Sequence, residues 1–341
     1  MSRLRTAGIQ SIAIALPDRV ITNAELEAAH PDWQMSGVVA RSGVEARRWC
    51  GADETALDIG VKASQRLLAQ CDVDPNEIDS VLFCTQTPDY VMPPNACLLQ
   101  ARLGLRTSVA ALDFTHACSG FIYGLYLAKS LVESSAARRV LLVTSETYSK
   151  WFNPNDRGPA TLFGDGAAAA LISHSSNGIG PVALGTDGSG AAIFCVPAGG
   201  ARRPRSAASS VEVADPHGNR RTAENLLMDG AAVLAFVGRE IPEFVRDFMV
   251  EHGETWDTLD LVVFHQGSRI ALESLVGRLQ IPKHKVFSNL KSVGNTVSAS
   301  IPIALWDAHS SGHLLPGMRV LLVGFGVGMS WGACVLTWNG V

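Results

Sequence analysis

Three residues far apart in the chain have the types and settings for acyl chemistry: Cys118 in "THACSGFIYGL", His265 in "FHQGSRI" and Asn295 in "VGNTVSAS". Cys118 falls between an apolar segment and an amphipathic run that opens with small residues. A thiol at a helix start meets free backbone N–H groups and the positive end of the helix dipole, and both favour the thiolate. A thiolate attacks thioesters, and the thioester it forms stays reactive. The competing reading is a small buried core residue, the usual role of a free cysteine. The residues alone leave the two in balance. His265 closes an apolar run, where an imidazole can shuttle a proton or donate to a developing negative charge. A satisfied histidine at a strand end fits the same place. Asn295 offers an amide donor that does not titrate, suited to an enolate beside a neutral histidine. It fits equally as a helix cap. "GFGVGMSWG" (324–332) adds glycines that let the backbone turn under a cleft and aim an N–H at a carbonyl oxygen. His116, two residues from Cys118, reads as support, and the other histidines, His217 among them, lack such placement.

The elements around these residues repeat. "IDSVLFCTQT" (78–87), "SVAALDF" (108–114) and "RRVLLVTSE" (138–146) read as strands. "NACLLQARLGL" (95–105), ending near Gly104, and "SGFIYGLYLAKSLVES" (119–134) read as helices. The second half gives the same order in "LDLVVFHQGS" (259–268), "SVGNTVSASIPIALWDA" (292–308) and "MRVLLVGFG" (318–326), with His265 standing where Cys84 stands. Three matched elements predict an internal duplication of about 170 residues. The halves are 1–176, carrying the cysteine, and 177–341, carrying the histidine and asparagine. Strand–helix alternation predicts α/β architecture with mostly parallel sheets covered on both faces. Loops at strand carboxyl ends then gather the three residues at one cleft. Between the halves, "AGGARRPRSAASSVEVADPHGNRR" (198–221) reads as an exposed loop or flap; its arginines suit phosphates but fit a solvated surface better.

Composition narrows the function classes. Hydrophobic residues make up 47% and charged residues 18%, which fits a well-buried globular chain of 341 residues. A net charge of −4 argues against general nucleic-acid binding. The N-terminal segment lacks the apolar core of a leader, and no run is long enough to span a membrane, so a soluble, cytoplasmic protein is expected. Seven scattered cysteines without a C-x-x-C argue against a disulfide framework and a structural zinc site.

As an ordered set, "LDFTHACSGFIYGL", "NDRGPATLFGDGAAAALI", "FHQGSRI", "VGNTVSASIPIAL" and "GFGVGMSWG" resemble the β-ketoacyl-acyl carrier protein synthase III family of the thiolase superfamily, along nearly the whole chain. The resemblance implies a duplicated, thiolase-like five-layer αβαβα fold and a homodimer. It implies a ping-pong Claisen condensation without metal or redox cofactor, using acyl-CoA and an acyl carrier protein as partners. Cys118 would take the acyl group. His265 and Asn295 would promote decarboxylation of a malonyl thioester, and the backbone N–H groups of Cys118 and Val327 would form the oxyanion hole. Arg157 matches a contact to the CoA adenine, and Met92 a residue that caps the partner's acyl pocket. Departures are visible. The family's H-Q-A-N-x-R-I reads "HQGSRI" here, so Ser268 replaces an asparagine and Arg269 sits one position early, at places tied to carrier and pantetheine contacts. Val327 stands where glycine is usual, and Gly37 where a tryptophan is expected in the CoA pocket. Such drift also suits a relative in specialised metabolism that passes the acyl group to an amine, a hydroxyl or another carbon nucleophile. A non-catalytic dimer partner would have lost these residues, and a cysteine hydrolase would need a water-activating carboxylate beside Cys118, which no motif marks.

Overall fold

The computed structural model describes residues 6–176, 178–216 and 218–339; His217 and the first five residues of the N-terminal segment fall outside them. Aliphatic runs build two sheets. The first holds β1 (Thr6–Ala15), β2 (Ser80–Cys84), β3 (Ala110–Phe114), β4 (Arg139–Glu146) and β5 (Gly166–Ser175), in the order β1–β5–β4–β2–β3. The second holds β6 (Ile179–Thr186), β7 (Leu261–Phe264), β8 (Arg319–Gly326) and β9 (Ser330–Thr337), in the order β6–β9–β8–β7. A single parallel bridge from Val262 to Val286 extends it where β3 stands in the first. The two orders therefore match strand for strand. The register matches too: Ser80 lies opposite Val140, and Leu261 opposite Val320. Counting on from these pairs puts Cys84 and His265 at one equivalent position, and the His265 N–H continues the ladder to the Val323 carbonyl at 2.8 Å.

Eight helices matter for the site: α1 (Met35–Ser42), α2 (Ala56–Cys71), α3 (Asn95–Leu103), α4 (Gly120–Glu133), α5 (Arg157–Leu162), α6 (Gly230–Glu251), α7 (Arg269–Leu279) and α8 (Ser300–Ser310). α4 and α8 lie between the sheets, against Leu82, Val140 and Leu142 on one side and Val263, Val320 and Leu322 on the other. The alternate residues face outward. Val81, Phe83, Leu141 and Val143 pack on α2 and α3, while Val262, Phe264, Leu321 and Val323 pack on α6 and α7. Strands buried on both faces have to be continuously apolar. The result is the five-layer αβαβα thiolase fold.

Two expectations need correction. The sheets are mixed rather than mostly parallel: β2 runs parallel to β3 and β4, and β7 to β8, but β5 and β9 are antiparallel to their neighbours. A short turn, as between β8 and β9, can join only antiparallel strands. The first strand stops at Cys84, because residues 85–87 turn away to hydrogen-bond Glu146. Asn295 lies in a small-residue turn that opens an apolar helix, as expected. Gly294 (φ 72°) and Val297 (φ 55°) are left-handed, so a break separates Leu290–Val293 from α8, and Asn295 sits in it. The 198–221 segment is largely exposed, as expected of a loop or flap. It carries a small hairpin, Val213–Ala214 with Arg220–Arg221, and buries Ser209. Its Arg221 is held by Asp156 (3.1 Å) and Asp215 (2.7 Å) rather than left open for phosphate. Among the described residues, no helix is long and apolar enough to cross a membrane.

Candidate active site

Cys118 lies in the turn between β3 and α4, as the sequence predicts. Ser119 does not cap α4 with its side chain. Its Oγ lies 2.7 Å from Ser330 Oγ, which donates to the Val327 carbonyl at 2.8 Å. The nucleophile turn is thereby tied to the turn between β8 and β9. The approach is close enough to demand glycine: a Cβ on Gly326 would lie 2.7 Å from both Cβ and Sγ of Cys118.

The electrostatics of the thiol differ from the sequence-based expectation. Burial, with Glu146 adding to it, pushes the Cys118 thiol up to about 12, although the N–H groups of Val327 and of Cys118 itself pull it down. Burial outweighs the helix start, so the free thiol is protonated near neutrality. Both N–H groups converge on Sγ, where a thioester carbonyl under attack would lie.

His265 directly follows β7 and is 2% exposed. Its Nδ1 lies 2.7 Å from Ser300 Oγ at the start of α8, and the Phe325 ring stands edge-on to it with centroids 5.6 Å apart. Ser300 Oγ also accepts the Gln266 N–H at 3.4 Å. Burial lowers the imidazole to about 3, opposed by the Val297 backbone. His265 is neutral at physiological pH, a hydrogen-bond donor rather than a cation.

Asn295 is anchored to the other half of the chain. Its N–H donates to the Leu162 carbonyl and its carbonyl accepts from Gly164 N–H, both at 3.0 Å. Its Oδ1 accepts the Val297 N–H at 2.9 Å, so the capping role is real but uses one end of the carboxamide only. Among the described residues none accepts from Nδ2, which faces a cavity.

That cavity, about 750 Å³, brings Cys118, His265 and Asn295 together beneath Phe163, Phe194 and Phe325. Exposed Arg41 and half-buried Arg157 mark its open end, beside Ser268 and the flap's Arg221. The Arg157 N–H donates to Asn219 Oδ1 of the flap at 3.2 Å, and Ser268 Oγ caps α7. Arg269 is not brought to the cavity: its side chain lies against Gly43 at the end of α1. Met92, 78% exposed, lies on a loop outside the cavity. Gly37 is exposed beside the lining residue Val38. The sequence analysis missed Glu146, Ser298 and Ser300. Glu146 had a signal, a charged residue closing an apolar strand. It is also the carboxyl that the hydrolase reading lacked, but it does not line the cavity, and both its oxygens accept hydrogen bonds.

A cysteine turn from one αβ repeat, facing an imidazole and a carboxamide from the other across five layers, defines a thiolase-fold enzyme. Known proteins agree. Residues 112–188 match the family model for 3-oxoacyl-[acyl-carrier-protein (ACP)] synthase III, and residues 249–338 match that for its C-terminal part. A β-ketoacyl-[acyl-carrier-protein] synthase III 3 of Streptomyces coelicolor is 38% identical, over 99% of this chain and 98% of the relative. A synthase III of Caldanaerobacter subterraneus is 34% identical over 98% of each. The crystal structure of a 3-oxoacyl-(acyl-carrier-protein) synthase III superposes with a TM-score of 0.94 at 44% identity, covering 98% of this chain and 100% of that one. The priming β-ketosynthase of the R1128 polyketide pathway superposes at 0.86 with 31% identity, covering 100% and 98%. The chain belongs to the 3-oxoacyl-[acyl-carrier-protein] synthase III family, and it is an enzyme of the acyltransferase, condensing type.

Proposed function

We propose that this enzyme moves an acyl group from a CoA thioester onto Cys118 and condenses it with a malonyl thioester to give a 3-oxoacyl product. The observation that carries the reading is the shared cavity of Cys118, neutral His265 and Asn295, with Nδ2 unpartnered. Sγ attacks the thioester carbonyl, the two N–H groups of Cys118 and Val327 hold the oxyanion, and the CoA thiol departs with the thiol proton. A malonyl thioester then loses carbon dioxide. Its enolate oxygen takes hydrogen bonds from His265 and Asn295, and its carbon attacks the acyl-cysteine, releasing Cys118. These steps use only a thiol, an imidazole, a carboxamide and backbone N–H groups, so no metal or redox cofactor is called for. Arg157 and Ser268, at the open end, suit the CoA or carrier-borne arm of the donor. The open edge of β3, with Leu112 51% exposed, supports a homodimer in which Met92 reaches the partner.

The test is intact mass spectrometry after exposure to a panel of acyl-CoA thioesters, followed by carbon dioxide release from malonyl-carrier protein. Cys118→Ala is expected to abolish acylation. His265→Ala and Asn295→Ala are expected to acylate normally and lose condensation by about 100-fold or more. Undiminished turnover in either variant overturns the roles. Acylation without carbon dioxide release points instead to an amine, hydroxyl or other carbon acceptor.

A further inference from the structure

The steps above leave one buried group at the site without a task. Glu146 ends β4, is fully buried, and stands near enough to Cys118 to raise its thiol. Its Oε1 accepts from Ser298 Oγ at 2.7 Å. Its Oε2 accepts from the Gln86 N–H at 3.0 Å and the Thr87 hydroxyl at 3.3 Å, with the Thr85 hydroxyl at 3.5 Å. Thr87 Oγ in turn accepts the Thr147 N–H at 2.9 Å. Two strand ends of the N-terminal half thus grip one hydroxyl of the C-terminal half.

That hydroxyl adjoins the strained point of the site. Val297 is β-branched, fully buried, and held at φ 55°, a conformation such residues rarely adopt. Its N–H fixes Asn295 Oδ1, and its backbone faces His265. An unfavourable backbone state persists only where its surroundings over-determine it. Ser298, the next residue, is where the N-terminal half takes hold.

We propose that Glu146 is a positioning residue for the condensing step: through Ser298 it holds Val297 left-handed, and so aims the Asn295 amide and the His265 ring. Cys118 takes its N–H donors from its own turn and from Val327, so acylation does not depend on this tether. The inference rests on the reading of the preceding section, and it separates the two half-reactions.

The experiment measures both half-reactions in wild type and three variants. Wild type is first shown to acylate and to release carbon dioxide from malonyl-carrier protein; without release, that reading fails and the inference with it. Ser298→Ala deletes one oxygen. It is expected to acylate within about threefold of wild type, which reports a folded site, and to lose condensation by about tenfold or more in kcat. Glu146→Gln can keep the tether, its amide oxygen accepting from Gln86 and its amino group donating to Ser298, and is expected to retain condensation. Val297→Gly in the Ser298→Ala background is expected to regain condensation, because glycine adopts φ near 55° without strain. Wild-type condensation by Ser298→Ala, equal losses in both half-reactions, or no recovery in the double variant overturns the proposal.

Discussion

Cys118 and Glu146 are both buried, and an ionised Glu146 disfavours the Cys118 thiolate. Burial pushes the Glu146 carboxyl up to about 8, against hydrogen bonds led by Ser298 that lower it. Removing that charge eases thiolate formation, so Glu146→Gln is expected to shift the pH profile of iodoacetamide alkylation at Cys118 to lower pH; superposable profiles would show the carboxyl has no hold on the thiol. Stability carries the same signature. Between pH 4.5 and about 8 the folded protein keeps a Glu146 proton that the unfolded chain has released, so this group's contribution falls as pH rises. His265 acts in the opposite direction, since its pKa drops from 6.5 to about 3 on folding and stability is lost as pH falls through that window. Above pH 6.5 the Glu146 effect is separate from that of His265. From pH 6.5 to 8 wild type is expected to lose about 1–2 kcal/mol relative to Glu146→Gln. Urea unfolding at three pH values reads the difference, and parallel curves would mean an ionised carboxyl.

The strand ends decide whether those residues meet. β8 delivers Gly326 directly beneath Cys118, where no side chain fits. Gly326→Ala forces the thiol away from its two N–H donors at an overpacking cost of about 1–3 kcal/mol. The expected result is acylation slowed by roughly 10- to 100-fold with the circular dichroism spectrum retained; full acylation activity would show that the thiol does not need this seat. Much of this level was legible in the sequence. Strands buried on both faces must read as unbroken apolar runs, and Gly104, left-handed at φ 66°, closes α3 where the sequence placed its end. The same pattern aligned Cys84 with His265. What escaped the sequence depends on contacts between distant segments. A left-handed Val297 runs against its own propensity and sits between contacts to Asn295 and, through Ser298, to Glu146. The flap's order comes from ion pairs to Asp156 and Asp215, and Arg269 follows the close approach of α7 to Gly43. No local window contains both partners of the Glu146–Ser298, Asp156–Arg221 or Gly43–Arg269 contacts.

At the scale of the whole molecule the first sheet has one conspicuous open side. β3 pairs only with β2, and its other edge exposes Leu112, with Tyr90, Val91 and Met92 exposed on a neighbouring loop. That loop is fixed at its base. Asp89 accepts from Thr55 and Leu57, its N–H donates to Asn95 Oδ1, and Asp113 of β3 accepts from the N–H groups of Asn95 and Ala96. A rigid base under an apolar tip is costly to leave in water, and a bare strand edge invites pairing with another chain. A two-fold axis beside β3 would satisfy both, joining the first sheets of two copies and carrying each Met92 toward the other's site. Leu112→Asp places like charges beside that axis, and sedimentation is expected to show a monomer. If Met92 closes the partner's acyl cavity, the monomer also loses acylation, and Met92→Ala in the dimer changes which acyl chains are accepted without changing assembly. A Leu112→Asp protein that sediments as wild type would remove β3 from the interface. A monomer that acylates at the wild-type rate would instead show that each chain's cavity is complete on its own.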